Sequence, residues 1–355
     1  MIDVILHKAI EGKRLSIEEG VALFESDLLH KIGRAASELS HRINEGRVYF
    51  VVNRHINPTN ICVNRCKFCA FSRSKGEEGA YELGIEDILE KVNASPADLK
   101  ELHIVGGLHP DWDITYYETL LREIKKVRPQ VHIKAFTAVE IDYLANRSNL
   151  TIEDTLKRLK DSGLDAMPGG GAEIFNNSTR SKLCPEKITS DRWLEIHRTA
   201  HGLGIKTNAT MLYGHIESFK DRVEHLLALR DLQSETNGFQ AFVPLPYHPE
   251  NTYITTRYPS GIDDLKTIAI SRLILNNIPH IKAYWIMLGE KLTQVALCFG
   301  ADDIDGTVIE ERITHSAGAQ TEEGLSRERL VDLIKRASRI PVERDALYNV
   351  VKIYK

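Results

Sequence analysis

The chain has 355 residues, 42% hydrophobic and 27% charged, enough to bury one large core or two medium ones. A net charge of −4 and a pI near 6.4 give no electrostatic case for nucleic acid or an anionic membrane surface. Five cysteines, an odd count in a long chain, do not read as a disulfide framework; with no signal-like start and no apolar run of bilayer length, a cytoplasmic protein without a membrane span is expected.

Residues 1–46 read as a helical extension. Ser16-Ile-Glu-Glu19 is a capping box, in which the hydroxyl and the carboxylate each satisfy an orphan backbone N–H, and a further helix is expected from Asp27 to Ile43. Then β-rich runs alternate with amphipathic ones. The candidate strands are Val48–Arg54, Glu101–Val105, Val131–Phe136, Leu164–Met167, Lys206–Met211, Phe239–Val243, Ile281–Ile286 and the unusually polar Asp302–Ile304. Helical patterns lie between them at Ile85–Val92, Tyr116–Val127, Ile152–Lys160, Arg192–Leu203, Asp221–Gln233, Asp264–Asn276 and Lys291–Phe299. Thr151-Ile-Glu-Asp154 opens one of these with a second capping signature. Eight βα units with right-handed crossovers predict an α/β fold, a closed (β/α)8 TIM-type barrel over 47–320. Residues 321–355 are expected to add one helix and a tail.

The chemistry-bearing residues all follow predicted strands, on the face where such barrels carry their active sites. Cys62-Val-Asn-Arg-Cys66-Lys-Phe-Cys69 follows the first strand. Three clustered thiolates can hold three irons of a 4Fe–4S cube, which normally takes four, and so leave one iron open to a ligand. A zinc site completed by His55 or His109, or an electron-carrier cluster completed by distant Cys184 or Cys298, are the alternatives. Phe68 is either core or a shield over the cluster. Gly106-Gly107 follows the second strand, where glycine permits close backbone approach or a plain turn. Glu140 follows the third and either caps a helix or faces a ligand. Pro168-Gly-Gly-Gly-Ala-Glu173 follows the fourth, exposing N–H groups and an acid suited to ribose hydroxyls. After the fifth come Tyr213, Gly214 and His215, after the sixth His248 and Asn251, and after the eighth Asp305-Gly306 and the stretch to His315.

Cys62, Cys66, Phe68 and Cys69 after the first barrel strand resemble the signature of the radical S-adenosylmethionine (SAM) superfamily. The stretch Arg54–Phe71 resembles that superfamily's futalosine- and deazaflavin-pathway branch. Within the branch, His103–Pro110, His132–Ile141, Met167–Phe175, Thr207–His215, Ile281–Glu290 and Asp305–Val308 resemble the aminodeoxyfutalosine synthase family of menaquinone biosynthesis. The likeness runs from about residue 47 to Pro341–Asp345. It implies a 4Fe–4S cluster on the three cysteines, with SAM on the open iron and consumed as co-substrate. It further implies that a 5′-deoxyadenosyl radical adds to the enol ether of 3-[(1-carboxyvinyl)oxy]benzoate. Rearrangement and loss of the carboxylate carbon then give 6-amino-6-deoxyfutalosine, which makes the enzyme a transferase.

Position by position, Gly106 and Gly107 take the place of a Gly-Gly-Glu motif that contacts the methionyl amine; Leu108 stands where the acid would be, so only backbone contact is implied. Phe68 and Glu140 fall on the SAM side, Glu173 on the ribose and Tyr213-Gly214 on the adenine. A substrate with two carboxylates calls for Arg54, Arg73, His248 or Arg257, with His215, Asn251 and His315 as further contacts. Radical intermediates call for a closed pocket, and an external one-electron reductant of flavodoxin or ferredoxin type is implied. The competing readings are a sister enzyme, dehypoxanthinyl futalosine cyclase or a deazaflavin-cofactor synthase component. There the radical abstracts hydrogen and leaves free 5′-deoxyadenosine. From another class come a non-catalytic iron–sulfur carrier and a zinc-stabilised binding module, neither of which needs several ligand-like loops on one face.

Overall fold

The computed structural model describes residues 1–355. In chain order the strands are β1 (Arg47–Val51), β2 (Asn53–Ile56), β3 (Glu101–Ile104), β4 (His132–Ala135), β5 (Ala166–Met167), β6 (Lys206–Tyr213), β7 (Phe239–Pro246), β8 (His280–Ile281), β9 (Asp303–Gly306), β10 (Ile340–Arg344) and β11 (Val350–Ile353). Strands β2 to β8 pair in sequence order, all parallel. A parallel bridge between Lys282 and Asp303 joins β8 to β9. Val308 and Ile309, just past β9, accept from the backbone N–H of His55 on β2. The ring thus closes, with the helices outside, and the expected α/β barrel is what the chain adopts.

All eight expected runs carry a strand, with three differences. The first run breaks at Val52, so β1 leaves the ring and pairs with β9 and β10, while β2 pairs with β3. Of the seventh run, expected over Ile281–Ile286, only Ile281 and Lys282 pair, β8 starting one residue earlier at His280, before a helix starts at Trp285. The tail after helix Arg327–Arg336 is not irregular; it forms β10, parallel to β1, and β11, antiparallel to β10. The capping signatures hold locally. Ser16 and Glu19 form the reciprocal box, and Thr151 accepts from the Asp154 N–H. The first 46 residues form helices Ile2–Ile10, Ile17–Glu25 and Leu29–Asn44, the last packed along Gly261–Ile274. Gly33 lets that helix approach Phe299 closely, where a Cβ would enter the ring. No helix is long and apolar enough to cross a membrane.

The polar run at the eighth position is buried because each carboxylate has a partner. Asp302 takes Arg272 at 2.5 Å and His280 at 2.5 Å, and Asp303 takes Arg344 at 2.9 Å. Arg272 and Arg344 are both fully buried. Removing one side of such a pair leaves a buried charge uncompensated. Arg344→Leu leaves Asp303 the Asp305 N–H at 2.6 Å and, of cations, only Lys282 at 4.0 Å, and is expected to cost about 3–5 kcal/mol. Thermal unfolding should show a melting point lowered by several degrees; an unchanged one would mean that this ion pair does not hold the tail to the barrel.

Candidate active site

A cavity of about 350 Å³ opens at the C-terminal mouth of the barrel and reaches down between the strands. Its walls bring together Cys62, Cys66, Cys69, Phe68, Gly106, Gly107, Glu140, Glu173 and His248 from the expected set. The cysteine loop is fixed on three sides: Cys62 N–H donates to Arg73 O at 3.0 Å, Val63 N–H to Leu108 O at 3.1 Å and Lys67 N–H to Leu183 O at 2.8 Å. The glycine pair presses against it. Gly107 N–H donates to Thr59 O at 2.9 Å, and a Cβ on Gly107 would overlap the Ile61 carbonyl. Glycine is required here by the approach of two loops, not by a positive φ.

Cys62, Cys66 and Cys69 are free thiols, Cys66 buried and the others half-buried. Burial pushes the Cys66 thiol up to about 12, against the nearby Lys187 ammonium, and raises Cys62 as well. A metal must therefore displace these protons to bind. Cys184 is buried outside the cavity wall and Cys298 is exposed. No three His, Cys, Asp or Glu side chains converge closely enough to share one ion. In a cube each thiolate takes its own iron, so the donor set fits a 4Fe–4S cluster with one iron open.

Around the thiols stand two acids. Glu173 has φ +48, a conformation rare outside glycine, set where the glycine loop turns back. Buried Arg180 clamps that loop, donating to Ala172 O at 2.6 Å and Gly171 O at 2.9 Å. The Glu173 carboxylate takes Lys187 at 2.5 Å, and the same ammonium lies 4.9 Å from the Phe68 ring centre. Glu140 is the N3 residue of helix Ala138–Arg147, in a capping box with Thr137. Its Oε2 accepts from Thr137 N–H at 2.7 Å and its Oε1 from Gly106 N–H at 3.3 Å. Burial nevertheless pushes it up to about 7. Both readings of Glu140, helix cap and cavity wall, describe the one side chain.

Deeper in the barrel are His55 from β2 and His103 from β3, Asn208 and Thr210 from β6, Val243 and Leu245 from β7, then Lys282, Tyr284 and Asp305. Of these, only Asp305 is among the residues singled out after the strands in the sequence, and His55 is considered there as a zinc ligand. Burial on both sides of β6, Lys206 apart, leaves no local pattern to mark Asn208 and Thr210 as facing in.

The remaining candidates lie elsewhere. Alternation on β6 turns Tyr213 away from the cavity, where its OH donates to Asp264 at 2.7 Å. Gly214 turns with φ +87 against Pro259. His215 is buried beside the barrel, Nδ1 2.8 Å from Glu217 and Nε2 3.0 Å from Leu212 O. Arg54 points outward to Glu310 and Lys91 O, both at 2.9 Å. Arg73 folds back on Ala70 O and Ser72 O at 2.9 Å, in a neighbouring cleft that also holds His315. His315 bridges Glu311 and Thr321 O, Asn251 donates to Ser316 O at 3.0 Å, and Arg257 is exposed on the rim loop. Arg54 and Arg73 thus spend their guanidinium groups on partners outside the cavity.

Comparison with known proteins agrees with this geometry. Residues 56–229 match the Radical SAM superfamily, and residues 236–355 match the CofH/MqnC C-terminal region. The chain is 45% identical to aminodeoxyfutalosine synthase of Thermus thermophilus, over 99% of this chain and 96% of that one. It is 42% identical to 5-amino-6-(D-ribitylamino)uracil–L-tyrosine 4-hydroxyphenyl transferase of Methanopyrus kandleri, over 99% and 98%. Identity to cyclic dehypoxanthine futalosine synthase of Halalkalibacterium halodurans is 37%, over 99% and 96%. Among solved structures, methylornithine synthase superposes with a TM-score of 0.76 at 19% identity, covering 95% of this chain and 97% of that one, a likeness of fold. With three free thiols at the mouth of a parallel barrel, the superfamily match over residues 56–229 and full-length relatives at 37–45% identity, the chain belongs to the radical SAM superfamily and is a SAM-using enzyme of that superfamily.

Proposed function

We propose that the chain is an aminodeoxyfutalosine synthase. It joins the adenosyl C5′ of SAM to the enol-ether carbon of 3-[(1-carboxyvinyl)oxy]benzoate, and rearrangement with decarboxylation gives 6-amino-6-deoxyfutalosine. The observation that carries this reading is full-length identity of 45% to a protein of that name. A sister activity, in which hydrogen abstraction leaves free 5′-deoxyadenosine, draws support from the 42% identity to the hydroxyphenyl transferase.

When bound on Cys62, Cys66 and Cys69, a 4Fe–4S cluster supplies the electron that breaks the C5′–S bond of SAM, drawn from an external flavodoxin- or ferredoxin-like reductant. The chain's own residues then position and shield. Glu173, held by Lys187, accepts from the ribose hydroxyls. Glu140 reaches Gly106 from the neighbouring helix, and in this reading it provides the carboxylate that Leu108 lacks, accepting from the methionyl amine. Phe68 at the mouth and Val243 and Leu245 deeper in keep the cavity dry. The barrel of 47–320 is the catalytic unit, with 1–46 and 321–355 bracing it, and the clustered thiols suit the reducing cytoplasm.

The direct test is an anaerobic reaction of cluster-loaded protein with SAM, dithionite and the benzoate, read by mass spectrometry. An adenosine-containing adduct, lost in Cys66→Ala, is the expected result; 5′-deoxyadenosine without adduct would move the assignment to a sister enzyme. A second outcome concerns pH. Glu140 is protonated below about 7, and amine N–H donors favour its ionised form. SAM affinity is therefore expected to rise as pH climbs through about 7. Glu140→Gln should flatten that profile and raise the KM for SAM by about tenfold, and an unchanged profile would remove Glu140 from the SAM site.

A further inference from the structure

None of Arg54, Arg73 and Arg257 lines the cavity, so a carboxylate entering it needs another partner. The protonatable nitrogen groups in the wall are Lys187, Lys282, His55, His103 and His248. Lys187 is committed to Glu173 at 2.5 Å. His248 donates Nε2–H to Met287 O at 3.1 Å, and its buried Nδ1 also lacks a partner, but the charged groups acting on it are Glu311, Glu250 and His315, with no ammonium among them. Burial lowers its pKa and keeps it neutral.

The other three stand together inside the barrel. The rings of His55 and His103 stack with centres 4.5 Å apart. His55 Nε2 is buried without a hydrogen-bond partner, 3.9 Å from an Asp305 oxygen. The other Asp305 oxygen takes the Lys282 ammonium. His55 is 7% exposed. A buried imidazole with no partner is costly, and such groups in native proteins usually have one.

We propose that His55, stacked on His103 and flanked by Lys282 and Asp305, receives a carboxylate of the aromatic acid substrate. The inference rests on the reading above that the substrate is an aromatic diacid. Nε2 is turned toward Asp305, and Nδ1, which makes no hydrogen bond and is not sealed off from the cavity, is the nitrogen left for the ligand. The groups facing His55 are Asp305, Glu311, Glu101, Lys282 and His103, with Lys134 behind His103. Burial outweighs the three acids and keeps the empty site neutral. An entering carboxylate adds a negative charge, so His55 takes one proton from solvent and the contact becomes a charge-assisted hydrogen bond.

Anaerobic calorimetry of the cluster-loaded protein with 3-[(1-carboxyvinyl)oxy]benzoate, in two buffers of different ionisation enthalpy, tests this. Uptake of about one proton per ligand is expected above neutral pH, with affinity falling about tenfold per pH unit there. His55→Gln should abolish the uptake and weaken binding by about tenfold or more. If the variant binds as tightly as the parent with the same proton count, the inference is overturned and the proposed reaction stands. Should the variant fail to fold, the parent protein decides alone, since binding without proton uptake also overturns it. A parent protein that cleaves SAM but neither binds nor converts the benzoate would refute the substrate reading itself, and this inference with it.

Discussion

The barrel closes on charge. Most of the ring mixes apolar residues with single polar ones, and β3 and β4 bury one ion pair, Glu101 with Lys134. At the join between β8, β9 and β1 the sequence offers three acids close together, Asp302, Asp303 and Asp305. Each is buried, and each is matched: Arg272 and His280 on the first, Arg344 on the second, Lys282 on the third. Buried ion pairs contribute little net stability compared with apolar packing, but they are strict about geometry. Here that strictness sets the register of β9, ties the C-terminal strand β10 to the ring and leaves Lys282 and Asp305 pointing into the cavity. The same interactions that complete the fold thereby furnish its floor.

Above that floor the mouth is built on backbone. The Gly106-Gly107 pair allows one loop to lie on the cysteine loop, and Gly169 lies so close to β6 that a Cβ would come within 2.7 Å of the Ala209 backbone. Glu173 and Asp305, both in the cavity wall, adopt positive φ, a strain that the scaffold beneath them holds in place. The thiols, two acids and a lysine occupy one side of this mouth; the imidazole pair and Lys282 lie deeper. A co-substrate at the cysteines and an acid seated below would meet inside a cavity screened by apolar side chains.

The fold was largely legible because helix and strand periodicity is local. The capping boxes at Ser16 and Thr151, the βα alternation and the cysteine spacing each declare themselves within a few residues. What stayed hidden depends on distant partners. Arg344 meets Asp303 across 41 residues and Arg54 meets Glu310 across 256, so a strand in the polar tail and the outward turn of Arg54 have no local signal. Facing was the other loss. Apart from Lys206, β6 is buried on both sides, so its apolar pattern does not say that Asn208 and Thr210 face in while Tyr213 faces out.

The central claim is that the adenosyl carbon ends in the product and is not released. SAM carrying carbon-13 at C5′, turned over anaerobically with the benzoate and followed by carbon NMR, tests it most directly. The account predicts that the labelled carbon becomes bonded to a carbon of the benzoate-derived product. Label confined to the methyl group of free 5′-deoxyadenosine would contradict it.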